Sequence, residues 1–211
     1  MPICYKRKLA FVHIPKNAGT SVSLFFNFKR DIKHLNDLWI EKSINLTHLT
    51  AKEMCEIVDL DEFYKFAFIR NPWDRMVSLF FYYKERPFGF FGRKDMPLDF
   101  VGFLSMIEKD YGLITEKKPN HAMCCHFLGQ YDFIKDQKID FIGRYENLNH
   151  DMKILAEKYA IHGDLPKVNQ TTHVRYAAYY DSKSSDIVRS IYKNDVVTFG
   201  YHFSDKLSIL L

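Results

Sequence analysis

The stretch LAFVHIPKNAGTSVS, from Leu9 to Ser23, limits what this chain can fold into more than any other. A short apolar run, Leu9 to Ile14, ends at Pro15, and a turn then carries one lysine and one glycine. Thr20 and Ser21 follow, and Val22, Leu24, Phe25, Phe26 and Phe28 supply an apolar helical run. That order reads as buried strand, tight loop and helix N-terminus. Such a junction aims backbone N–H groups and the positive end of a helix dipole at one spot, which suits a phosphate or sulfate. Lys16 adds a mobile charge, Thr20 and Ser21 add hydroxyl donors, and Gly19 lets the main chain approach the anion closely. The loop is not a Walker A sequence, whose lysine directly follows its last glycine. Here Lys16 precedes Gly19 by three residues, so the loop is expected to bind an anion but not ATP in the manner of a kinase.

At 211 residues, 47% of them hydrophobic, the chain can bury one sizeable core, and a single domain over residues 1–211 is expected. There is no polar low-complexity tract and no internal repeat. A net charge of +4 fits an anionic small ligand as well as a nucleic acid and does not choose between them. Cys4, Cys55, Cys124 and Cys125 form no CxxC pair, so neither a zinc finger nor a disulfide framework is indicated. No apolar run approaches a membrane span, and MPICYKRK lacks the apolar region of a signal peptide. These features point to a reduced, cytoplasmic protein. Two glycosylation sequons, at Asn45 and Asn169, fall in stretches assigned to the active site and read as chance matches.

Further along, residues 30–45 read as loop with a short helix. Thr50, with Glu53 three residues on, makes a capping-box pattern that starts a helix at Ala51. His48 sits just before that cap, in a loop. Phe66 to Ile69 form a second buried strand, Asn71 can cap, and Pro72 suits the first helical position. Arg70 therefore stands at the C-terminal end of a strand, where ligands gather in open α/β sheets, and Ser78 lies about two turns into the next helix. Ion pairing of Arg70 and Arg75 with Asp74 or nearby carboxylates is an equally open reading. The segment KERPFGFFGRKDMP, residues 84–97, combines basic and aromatic residues with glycine and proline breaks. Such a loop either lines a binding mouth or folds its phenylalanines onto the core. Leu98 to Lys109 read as an amphipathic helix, and HAMCCHF, residues 121–127, as a packed helix with buried thiols, since no second cluster completes a metal site. Tyr131–Ile134 and Ile139–Gly143 read as short strands, a helix runs to Tyr159, another spans Ser184–Tyr192, and residues 195–203 read as a turn or short strand. Strands alternating with helices imply an α/β fold with a mostly parallel sheet covered on both faces.

FVHIPKNAGTS, followed about fifty residues on by FAFIRNPWDRMVSLFFY, resembles the sulfotransferases that use 3′-phosphoadenosine 5′-phosphosulfate (PAPS). The likeness is to the carbohydrate branch containing the heparan sulfate 2-O- and chondroitin/dermatan enzymes. IGRYENL and the terminal YYD…YKNDVVTFGYHF look like that branch too. The resemblance implies a P-loop-like sheet with helices on both faces. It makes the first motif a 5′-phosphosulfate loop, with Lys16 assisting the leaving group and Pro15, Asn17, Ala18, Gly19, Thr20 and Ser21 forming the cradle. It puts the 3′-phosphate on Arg70 and on Ser78, eight residues later. His48, 22 positions before Arg70, is similar in placement to the catalytic base of the heparan 2-O enzymes. Tyr145 resembles a tyrosine that packs near the adenine, and residues 169–175 resemble a segment that closes over the nucleotide. Animal Golgi members carry a membrane anchor and stem that this sequence lacks. A compact microbial member is expected, with a trimmed lumenal Golgi domain as the alternative.

The chemistry so implied is in-line transfer of a sulfuryl group from PAPS to an acceptor hydroxyl, expected to be on a glycan, leaving 3′,5′-ADP (PAP) as product. No metal is required, because PAPS does not need the magnesium of a nucleoside triphosphate and no carboxylate cluster stands ready for one. The expected partner is the hydroxyl acceptor, with no nucleic acid and no membrane span. The rival readings are a nucleotide kinase with a variant P-loop and a non-catalytic nucleotide- or nucleic-acid-binding module. A lipid or small phenol remains open as acceptor.

Overall fold

The protein is described by a computed structural model over residues 2–28, 47–85, 97, 99–116, 124–166, 168 and 174–204. Its sheet has four strands in the order β1 (Ile3–Cys4), β2 (Leu9–Val12), β3 (Tyr64–Ile69) and β4 (Phe141–Arg144). The edge pair β1–β2 is antiparallel, and β2–β3 and β3–β4 are parallel. Eight α-helices accompany it among the described residues: α1 (Gly19–Phe25), α2 (Ala51–Ile57), α3 (Pro72–Lys84), α4 (Phe100–Glu116), α5 (Gln130–Ile134), α6 (Leu148–Lys158), α7 (Ser182–Ile191) and α8 (Lys193–Phe199). This is the mostly parallel α/β architecture expected from the alternation of strands and helices.

The chain divides into two compact units, Met1–Arg70 with Thr115–Gln170 and Asn71–Ile114 with Thr171–Leu211. The first unit holds the sheet. Register places Phe11 opposite Phe66, so Leu9, Phe11, Phe66 and Phe68 share one face. They bury against Val22 and Phe26 of α1 and Met152 and Leu155 of α6. Ala10, Val12, Ala67 and Ile69, on the opposite face, are buried as well, so the central strands are covered on both sides. Burying one such large side chain contributes about 1.5–3 kcal/mol, which is why the two strands can be so short.

The second unit is helical and aromatic. Asn71 caps α3 by accepting from the Trp73 and Asp74 amides at 3.0 and 3.4 Å, with Pro72 in the first turn. Trp73, Met76, Val77, Leu79 and Phe80 of α3, Phe103, Leu104 and Ile107 of α4, and Ile187 and Val188 of α7 are all buried. The Trp73 indole N–H donates to the Ser185 carbonyl at 3.0 Å, and the Tyr180 hydroxyl donates to the Trp73 carbonyl at 2.9 Å. Buried Arg75 lies under the Tyr192 ring, 5.7 Å from its centroid.

Several elements differ from the sequence reading. Tyr131–Ile134 is not a strand: it belongs to α5, and its four apolar-rich residues are too few to reveal a period. Residues 195–203 are not a turn or strand at their start. Lys193–Phe199 is helical despite the β-branched Val196, Val197 and Thr198, because Asp195 and Phe199, one turn apart, both bury. Gly200, at φ 65°, then ends it in the left-handed cap that glycine favours. The helix expected over 98–109 begins at Phe100 and runs on to Glu116, and the one expected at Ser184 begins at Ser182 on an Asp181 cap. Strand β2 stops at Val12, two residues earlier than the apolar run. The expectations for residues 30–45, for most of the 84–97 loop and for the asparagines of both sequons lie outside the described residues. Cys124, Cys125 and Phe127 of the HAMCCHF segment are buried, and all four cysteines are free thiols.

Candidate functional site

After β2 the chain leaves the sheet at His13 and turns through Pro15, Lys16, Asn17 and Ala18 into α1. Lys16 (φ 70°) and Ala18 (φ 60°) both take left-handed conformations. For residues other than glycine this costs about 1–2 kcal/mol each, a strain that persists only where the surroundings enforce it. Turns of this kind gather successive backbone N–H groups into a concavity suited to an anion. Pro15, Asn17, Gly19 and Ser21 are buried, Lys16 and Ala18 are half-buried, and Thr20 is exposed.

Asn17 anchors the turn. Its Nδ2 donates to the Phe68 carbonyl at 2.7 Å and to Gln130 Oε1 at 2.8 Å, reaching across to β3 and to α5. Those bonds fix which end of the amide is nitrogen, since a backbone carbonyl can only accept. The same Gln130 oxygen accepts from the Arg70 backbone N–H at 2.8 Å, and Gln130 Nε2 donates to the Arg70 carbonyl at 2.7 Å. Arg70 itself, 5% exposed, donates from Nη1 to the Lys16 carbonyl at 2.9 Å. Its guanidinium carbon lies over the Tyr145 ring, 4.0 Å from the centroid, in a cation–π contact. Lys16, Arg70 and Tyr145, far apart in sequence, thus meet at the carboxyl ends of β2, β3 and β4, the edge of an α/β sheet where ligands collect. The Ser21 hydroxyl accepts a long bond, 3.5 Å, from the Val168 amide, one residue before the segment expected to close over a nucleotide.

His48 comes to the same loop from the cap of α2. Thr50 and Glu53 form the full capping box: the Glu53 amide donates to Thr50 Oγ1 at 3.2 Å, and the Thr50 amide to Glu53 Oε2 at 2.8 Å. This locks the chain two residues after His48. His48 Nδ1 is 2.9 Å from the His13 carbonyl oxygen. Because that oxygen accepts only, Nδ1 carries the proton and donates, and Nε2 is the nitrogen left to take one up. The His48 ring packs edge-on against His13, at 4.4 Å between centroids, and against His126 at 5.4 Å. His13 was not singled out from the sequence, although it sits inside the motif. Its ring explains Gly19 better than close approach of an anion does: a Cβ at Gly19 would stand 1.7 Å from His13 Nε2. Gln130 was not singled out either, and one glutamine after a glycine carries no pattern that could have flagged it.

Ser78 lies in the second unit, buried two turns into α3. Among the described residues no group of three or more His, Cys, Asp or Glu side chains is arranged to hold a metal ion, and no helix is long and apolar enough to cross a membrane.

The model of a family described as the sulfotransferase family matches residues 1–202, across both units. No curated protein and no solved structure matches the chain.

Proposed function

Because the chain belongs to the sulfotransferase family, we propose that it moves a sulfuryl group from PAPS to an acceptor hydroxyl, most naturally on a carbohydrate. The observation that carries this reading is the bond from Arg70 Nη1 to the Lys16 carbonyl, which joins two basic, strand-end elements into one corner. A donor with phosphate groups at its 5′ and 3′ positions calls for such a pair. In the proposal the Lys16 turn, with Pro15, Asn17, Ala18, Gly19, Thr20 and Ser21, takes the 5′-phosphosulfate. Arg70 takes the 3′-phosphate and Tyr145 lies towards the adenine. Ser78 joins Arg70 in this assignment by resemblance alone.

The acceptor oxygen attacks sulfur in line with the bond to the 5′-phosphate. A new O–S bond forms, the S–O bond to the phosphate breaks, and PAP leaves. The acceptor proton passes to His48 Nε2, the nitrogen that the His13 carbonyl leaves able to accept it. Lys16 meets the negative charge growing on the bridging oxygen. A preorganised donor of this kind is worth about 3–4 kcal/mol, roughly a hundred- to thousand-fold in rate. As in phosphoryl transfer, positioning and charge stabilisation carry the reaction. The family match leaves the kinase reading unfavoured. Four free thiols suit a reducing compartment, and the proposal places the enzyme in the cytoplasm.

The test has two arms. Thermal shift with PAP, ATP and 5′-AMP should show the largest gain with PAP, and labelled PAPS should transfer sulfate to at least one member of a glycan panel. An equal response to ATP would count for a kinase, and PAP binding with no transfer to glycans, lipids or phenols would leave a binding module.

A further inference from the structure

Gln130 is fully buried, and both ends of its side chain are committed to the two elements that the proposed function assigns to the donor. Its oxygen holds the Arg70 N–H and the Asn17 amide at 2.8 Å each, and its nitrogen holds the Arg70 carbonyl at 2.7 Å. Strand β3 ends at Ile69, so the Arg70 peptide groups have just left the ladder. The Gln130 amide bonds them as a neighbouring strand would. A closed circuit results. Asn17 donates to Gln130, Gln130 grips the Arg70 backbone, and the Arg70 side chain returns to the carbonyl of Lys16, the residue bonded to Asn17. Every member is buried or half-buried, and water is a poor substitute for a missing partner there.

We infer that Gln130 is a positioning residue, setting the separation between the Lys16 turn and the Arg70 strand end and hence the fit of a nucleoside phosphorylated at both 3′ and 5′ positions. This rests on the PAPS reading above. The consequence is selective. A ligand that engages one element alone is indifferent to their spacing, whereas a ligand spanning both gains only when the spacing matches, as for any two-point attachment.

The test compares the dissociation constants of PAP, 5′-AMP and 3′-AMP by calorimetry on the full chain and on Gln130→Met, which keeps the volume and removes the bonds. The wild type should bind PAP more tightly than either monophosphate. In Gln130→Met that preference should shrink about tenfold, the loss of roughly one net buried hydrogen bond, with smaller changes for the monophosphates. If Gln130→Met does not fold, Gln130→Glu carries the comparison. It keeps the acceptor for Arg70 and Asn17 but sets a carboxylate oxygen against the Arg70 carbonyl, so the preference should fall in the same direction. A variant that folds and keeps the wild-type preference overturns the inference, as does a lower melting temperature with all three ligands weakened alike. A wild type that does not prefer PAP overturns the donor reading, and the inference with it.

Discussion

The strand ends of the first unit and the helical core of the second both bury large aromatic side chains, yet they use polar groups differently. Around Lys16, the buried amides of Asn17 and Gln130 and the guanidinium of Arg70 are bonded to one another and to loop backbone, in a turn with two left-handed residues. Around Trp73, the indole N–H holds the Ser185 carbonyl and the Tyr180 hydroxyl holds the Trp73 carbonyl, while Phe80 packs edge-to-face on Phe100 at 5.6 Å and tilted on Phe103 at 5.5 Å, and Phe100 stacks on Phe103 at 6.4 Å. Strain and buried polar circuits cost stability and are found where geometry must be held for a ligand. Aromatic packing adds stability without asking for such accuracy. The first region should therefore answer to mutation in activity, and the second in folding.

The sharpest contrast comes from His48→Ala. Removing the proposed base should lower kcat by about a hundred- to ten-thousand-fold. PAP affinity and melting temperature should stay near wild type, measured by calorimetry and thermal unfolding. Retention of full turnover would move the base elsewhere. On the other side, Trp73→Ala should destabilise by about 3–5 kcal/mol in a denaturant titration, because the ring is fully buried and its indole bond is lost with it. Near-normal stability in that variant would erase the proposed division of labour.

A smaller effect lies at the start of α7. The Ser184 hydroxyl, and next the Ser184 amide at 2.7 Å, hold the exposed Asp181 carboxyl below its usual range. A carboxyl depressed in the folded state contributes stability that is present above its unfolded value and fades as pH falls through the folded one. Asp181→Asn keeps a capping oxygen without the titration, so its denaturation midpoint should vary less with pH on the acid side, while activity per folded molecule is unchanged. The smallest expected effect is that of EDTA, which should leave sulfate transfer unaltered. Metal-dependent turnover would break the scheme in which Lys16 and loop amides alone meet the charge on the leaving phosphate.

Local signals translated well into local structure. Thr50 with Glu53, and Asn71 with Pro72, are helix starts because a side chain a few residues away satisfies backbone groups there, and nothing distant is needed. The apolar run into PKNAGTS likewise implies strand, turn and helix. Tyr131–Ile134 and Lys193–Phe199 went the other way, since short β-branched or aromatic runs take whichever state their surroundings bury.

The amino-acid order by itself determined the α/β class, the strand–turn–helix around Lys16 and the helix caps, because each depends on neighbours within a few residues. Only the tertiary structure decided that Gln130 and Asn17 clasp Arg70, that the His13 carbonyl selects the proton position on His48, and that Gly19 makes room for an imidazole. Those contacts join residues up to 113 positions apart. No local preference encodes such a pairing; it exists once parallel strands have brought their carboxyl ends side by side.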